Sequence, residues 1–124
     1  MSQYIEFLRE WLAPLGEITV RAMFGGHCLY CDGVVFALVG KQEIFLKADA
    51  LNRPAFEAIG SQPFQPFADK PEVMQYYPPP PAFFDNSDVM REWGRAAVEA
   101  GRRARAARPA SRSGRTPARR KESQ

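Results

Sequence analysis

The chain has 124 residues, of which 45% are hydrophobic and 25% charged, which fits one domain of ordinary globular composition. Its longest apolar runs are only a few residues, too short to span a bilayer. The first ten residues lack the basic and apolar regions of a signal peptide, so a cytoplasmic protein with free thiols and no membrane partner is expected. The net charge of +3 hides a division: from Arg102 onward nine basic residues face one acid, leaving that segment at +8 and residues 1–101 at −5. An acidic body with a basic arm points to polyanionic partners, nucleic acid first.

In chain order, a helix is predicted from Gln3 to Ala13, with Ser2 as its cap. Ile5, Leu8, Leu12 and Leu15 recur at helical spacing, and Pro14 and Gly16 end the run. The first strand, Glu17 to Phe24, turns Ile18, Val20, Ala22 and Phe24 to one face and Thr19, Arg21 and Met23 to the other. Gly25-Gly26 permits a reversal into a second strand, His27 to Cys31. Asp32-Gly33 is a strong hairpin signal because both turn residues tolerate positive φ. The third strand, Val34 to Val39, is apolar on both faces and reads as central. Gly40-Lys41-Gln42 turns the chain into a fourth strand, Glu43 to Ala48.

A second helix begins at Asn52 as cap, which places Pro54 in the first turn and pairs Leu51 with Phe56 as a hydrophobic staple; Gly60 stops it. Beyond it, Phe64–Phe67 reads as a short edge strand and Val73–Tyr77 as a better one. Pro78–Pro81 should form an extended polyproline spacer that is neither helix nor ladder, over Tyr76, Tyr77, Phe83 and Phe84. The third helix starts at Asp85–Ser87 and shows Val89, Trp93, Ala97, Ala100 and Ala104 on one face. Gly94 and Gly101 weaken it by about 1 kcal/mol each, so it should fray after Gly101. Residues 109–124 have no apolar periodicity and are expected to be a disordered arginine-rich tail on a domain spanning residues 1–108.

Chemistry should be sought first around the one histidine and the two cysteines, all between residues 27 and 31. Cys28 and Cys31 are three apart in a strand, so they face opposite ways about 10 Å apart, beyond disulfide reach. A redox Cys-x-x-Cys opens a helix, where the dipole activates a thiol, whereas this one runs into a hairpin. A zinc site would need two further ligands and finds only His27 besides carboxylates. His27 and Cys28 are adjacent and point apart, so neither catalytic residue, metal site nor cofactor is expected. Phe24-Gly25-Gly26 lacks the following helix and the Lys-Ser/Thr of a phosphate loop. The remaining feature is the run Arg102, Arg103, Arg105, Arg108, Arg112, Arg115, Arg119, Arg120 and Lys121. Spaced by Ala, Pro, Ser and Gly without aromatics, it suits sequence-independent phosphate contact through counterion release; the plain alternative is a solvated tail.

Arg21-Ala22-Met23-Phe24-Gly25-Gly26, followed by Leu29-Tyr30-x-Asp32-Gly33-x-x-Phe36-Ala37-Leu38, resembles the N-terminal domain of the TfoX/Sxy family. Leu46-Lys47-Ala48-Asp49, Phe56-x-x-x-Gly60-Ser61-x-Pro63-Phe64 and Met74-x-Tyr76-Tyr77 agree, so the resemblance covers about residues 4–107. It implies a two-layer α+β domain, an antiparallel sheet packed by helices in the order α-β-β-β-β-α-β-β-α, similar to the dimeric type III secretion chaperones. Met23, Phe24, Gly25, Gly26, Asp32 and Gly33 would be the structural motif, with no catalytic residue among them. The best-known members regulate natural competence with the cyclic-AMP receptor protein and carry a C-terminal helical domain, which is not expected in this chain of 124 residues. The expectation is a non-enzymatic regulatory or adaptor protein. It would be a homodimer with DNA contact through the tail and a transcription regulator as a further partner. The alternative is a dimeric small-ligand-binding or chaperone-like module without a nucleic-acid role.

Overall fold

A computed structural model of the chain describes residues 3–23 and 25–108. Ser2, Phe24 and the tail from Pro109 onward lie outside the described residues, and with them the Ser2 cap and the expected disorder of 109–124. The elements are α1 (Gln3–Trp11), β1 (Ile18–Met23), β2 (Gly26–Cys31), β3 (Val34–Gly40), β4 (Glu43–Lys47), α2 (Arg53–Ala58), β5 (Tyr76–Tyr77) and α3 (Ser87–Ala107). Two 3-10 helices, Ala13–Leu15 and Pro81–Phe84, join them. The five strands form one antiparallel sheet in the order β1-β2-β3-β4-β5. The α+β class and the element order agree with the sequence reading, with the first of the two late strands reduced to a single bridge between Phe64 and Met74.

The helices cover one face of the sheet. Ile5, Leu8 and Leu12 of the first helical segment and Met90, Ala97 and Val98 of α3 pack with Leu29, Cys31, Val39, Ile44 and Leu46 in the main core. Across β2 and β3 the register slips so that Leu29 pairs with Ala37 and Tyr30 with Val35, leaving Phe36 unmatched. That bulge turns the consecutive residues Phe36 and Ala37 into the same core, where both are fully buried. Phe56 of α2 stacks on Tyr77 at 5.0 Å and meets Trp93 edge-on at 5.0 Å. Trp11 Nε1 donates to the Phe83 carbonyl at 2.8 Å and ties α1 to the segment before α3. On the opposite face Leu38, Phe45 and Tyr76 form a smaller cluster with Cys28 and Phe64.

Several expectations are corrected. Only Gly25 lies in the first reversal, at φ 69°; Gly26 is the first residue of β2, and a Cβ there would meet the Val39 carbonyl oxygen at 2.3 Å. The Leu51–Phe56 staple does not form, because Leu51 is 72% exposed while Phe56 is buried. Asn52 precedes α2 as expected but does not cap it. Its Oδ1 accepts from the Asp49 amide at 2.7 Å and its Nδ2 donates to the Lys47 carbonyl at 3.0 Å, so it braces the turn leaving β4. Phe64–Phe67 is no strand, since Pro63 and Pro66 remove ladder donors there, and of the next stretch only Tyr76–Tyr77 is strand in the sheet. Pro81 begins a 3-10 helix and does not extend the spacer, since a proline suits a first helical turn. The third helix remains regular past Gly101, where fraying was expected, and continues to Ala107. Its buried stripe runs through Met90, Gly94, Ala97 and Gly101, and Ala104 is exposed.

Candidate functional site

The basic run begins on α3. Asn86 starts this helix: its Oδ1 accepts from the amides of Asp88 (2.9 Å) and Val89 (3.1 Å). At the other end arginines face the negative pole of the helix dipole, which favours them. The four described arginines of the run are not equivalent. Arg102 donates to Glu99 at 2.8 Å, and Arg103 grips Asp49 with two hydrogen bonds, 2.7 Å from Nε and 3.0 Å from Nη2. Arg105 reaches only the Gly33 carbonyl, at 3.5 Å, and Arg108 leaves the helix in an extended conformation. Among the described residues, Arg105 and Arg108 have no carboxylate partner. Arg112, Arg115, Arg119, Arg120 and Lys121 lie outside the described residues.

The Arg103–Asp49 clamp had no local signal in the sequence, since its partners are 54 residues apart. It holds the Asp49 carboxyl below the usual carboxylate range, helped by the amides of Leu51 and Asn52, and raises Arg103 in turn. Near it, Lys47 Nζ lies over the Tyr76 ring at 4.9 Å and donates to its hydroxyl at 3.3 Å. Burial lowers the Lys47 ammonium below its ordinary range, and the charge of Arg108 adds to this. Burial also pushes the Tyr76 phenol up to about 12, beyond use as an acid or base near neutral pH.

The motif residues serve the hairpins. Asp32 (φ 51°) and Gly33 (φ 82°) make the β2–β3 turn. Asp32 also closes the sheet end: its Oδ1 accepts from the Glu17 amide at 2.9 Å and its own amide donates to the Glu17 carbonyl at 2.8 Å. Met23, Gly25, Gly26 and His27 line a groove of about 660 Å³ on the less covered side of the sheet, with Leu38, Phe45, Phe64, Phe67 and Met74 as apolar walls. His27, Lys41, Glu43 and Gln65 supply its polar lining. The volume lies in the range that holds small molecules, and the walls suit apolar groups. Among the described residues His27 makes no side-chain hydrogen bond to a carboxylate or thiolate. Cys28 and Cys31 fall on opposite faces, as strand geometry requires: Cys28 beside the outer cluster, Cys31 in the main core with its Sγ 3.4 Å from the Leu15 carbonyl.

No helix among the described residues is long and apolar enough to cross a membrane. Residues 10–101 match the family model described as TfoX N-terminal domain. A relative is Protein Sxy of Escherichia coli (strain K12), 45% identical over 40 residues that make up 32% of this chain. That match spans 19% of the relative's length. With the family model covering all five strands, α2, most of α3 and every described motif residue, the chain belongs to the TfoX N-terminal domain family.

Proposed function

We propose that the chain is a non-enzymatic regulatory domain that acts through protein partners, a transcription regulator among them, and reaches DNA through its basic C-terminal segment. The observation that carries this reading is the division of arginines at the end of α3. Arg102 and Arg103 are neutralised by Glu99 and Asp49, whereas Arg105 and Arg108 have no acidic partner among the described residues and lead into five further basic residues. Family membership supports a competence-regulator-like role. Among the described residues His27 has no hydrogen-bonded carboxylate or thiolate, and Cys31 is buried, which favours a binding role over catalysis.

The test is a DNA-binding titration across salt concentrations. Replacing Arg112, Arg115, Arg119, Arg120 and Lys121 by Ala removes five candidate phosphate contacts. The slope of log K against log salt should then fall by about 4.5, at roughly 0.9 per contact. Arg102→Ala with Arg103→Ala should leave the slope nearly unchanged, because those charges are engaged within the fold. An unaltered slope in the five-site variant would remove the tail from the mechanism.

A further inference from the structure

The first strand leaves one side of the sheet unpaired. β1 is the terminal strand, and its six residues pair with β2 in unbroken register, from Ile18 opposite Cys31 to Met23 opposite Gly26. The Asp32 amide donates to the Glu17 carbonyl, so Glu17 belongs to a hydrogen-bonded pair with β2. Alternation then gives the same role to Thr19, Arg21 and Met23, and turns the amides and carbonyls of Ile18, Val20 and Ala22 outward. Proteins normally protect such an edge with proline, lysine, a bulge or a covering loop. The opposite edge has such a cover, since the Phe64 amide donates to the Tyr76 carbonyl at 2.7 Å. Among the described residues nothing covers β1, which has no proline, lysine or bulge.

We infer that the β1 edge pairs antiparallel with the β1 edge of a second copy of this chain, joining two five-stranded sheets into one. The charge pattern selects the register. An antiparallel pair formed through the outward groups must place Ile18, Val20 and Ala22 opposite one another. If Val20 faces Ala22, Arg21 lies opposite Arg21 of the other copy and repels it. If Val20 faces Val20, Arg21 meets Thr19 and Glu17 meets Met23, with no charge compensated. If Ile18 faces Val20, the two-fold axis passes through Thr19 and Glu17 of each copy lies opposite Arg21 of the other. Glu17 and Arg21 are both exposed and form no ion pair among the described residues, so the last register satisfies two charges on each chain at once. It also sets Ile18 beside Val20 on the helix-covered face, where both are only half-buried in one chain. The isologous contact requires no other partner and is independent of the DNA reading.

Sedimentation of the full chain tests this. The wild type should show a mass twice the 14.0 kDa of one chain at tens of micromolar protein, by order of magnitude for a modest interface. Arg21→Glu, which sets acid against acid in the favoured register, should weaken association at least tenfold, and adding Glu17→Arg should restore it. Val20→Pro removes an outward amide without touching the ladder to β2 and should give a folded monomer, as judged by circular dichroism. A wild type that stays monomeric, or an Arg21→Glu variant that associates as tightly as wild type, overturns the proposal. Failure of the charge swap to restore association overturns the register.

Discussion

Two glycines of α3 show how a single missing Cβ can count in opposite directions. By propensity each costs the helix about 1 kcal/mol relative to alanine, which is why the sequence suggests fraying at Gly101. In the fold both are buried. A Cβ on Gly101 would lie 2.3 Å from the Val35 carbonyl oxygen and 2.7 Å from Val34 Cγ1; on Gly94 it would meet Leu15 Cδ1 at 2.7 Å. The first obstacle is strand backbone at the bulge, which cannot yield without disturbing the sheet. The second is the tip of a flexible side chain. Gly101→Ala should therefore destabilise the domain by about 1–3 kcal/mol despite the gain in propensity. Gly94→Ala should stay within about 1 kcal/mol of wild type. Urea unfolding of the two variants checks this, and equal effects would show that the close approach at Val35 does not constrain the helix.

The elements that the sequence made legible are those whose signals are local. The Asp32-Gly33 turn and the apolar third strand depend on neighbours in sequence, and both stand where expected. The 61–77 segment was less legible, because its path is set by the Phe64–Met74 bridge and by Gln65, whose Nε2 donates to the Lys70 carbonyl at 2.6 Å. The basic site was legible as a run of charge, but the engagement of Arg103 depends on Asp49, far off in the chain. That clamp joins α3 to the turn after β4, and it makes a pH-dependent prediction. The folded Asp49 carboxyl titrates below its unfolded value of about 3.9, so its contribution is present above that pH and is lost as pH falls through the folded pKa. Asp49→Asn should cost about 1 kcal/mol at neutral pH, a modest figure because both partners are partly exposed. The difference from wild type should shrink below pH ~4 and in high salt. Chemical unfolding at several pH values measures it. A deficit that persists undiminished in acid would place the effect in the turn geometry and not in the charge.

At the scale of the whole molecule the sheet has two unlike sides, and the two thiols report on them separately. One face is sealed by α1 and α3, and Cys31 lies in that core with no exposed surface. Burial is the first cause that raises its thiol, with the charge of Asp32 adding to it, so the reactive thiolate is scarce as well as shielded. The other face carries the groove and the smaller cluster, and there Cys28 is only half-buried. A thiol reagent reaches Cys28 through local motion of the outer side, whereas Cys31 waits for the helix layer to separate from the sheet. Native protein should therefore show one fast and one slow equivalent, and the slow rate should follow global stability. Cys28→Ser should abolish the fast phase alone. The slow phase should quicken in Gly101→Ala, where the helix layer is held less well, while the fast phase stays constant. Two equally fast thiols in the wild type would mean that α3 does not seal its face of the sheet, and the layered arrangement would fail at the helix that also carries the arginines.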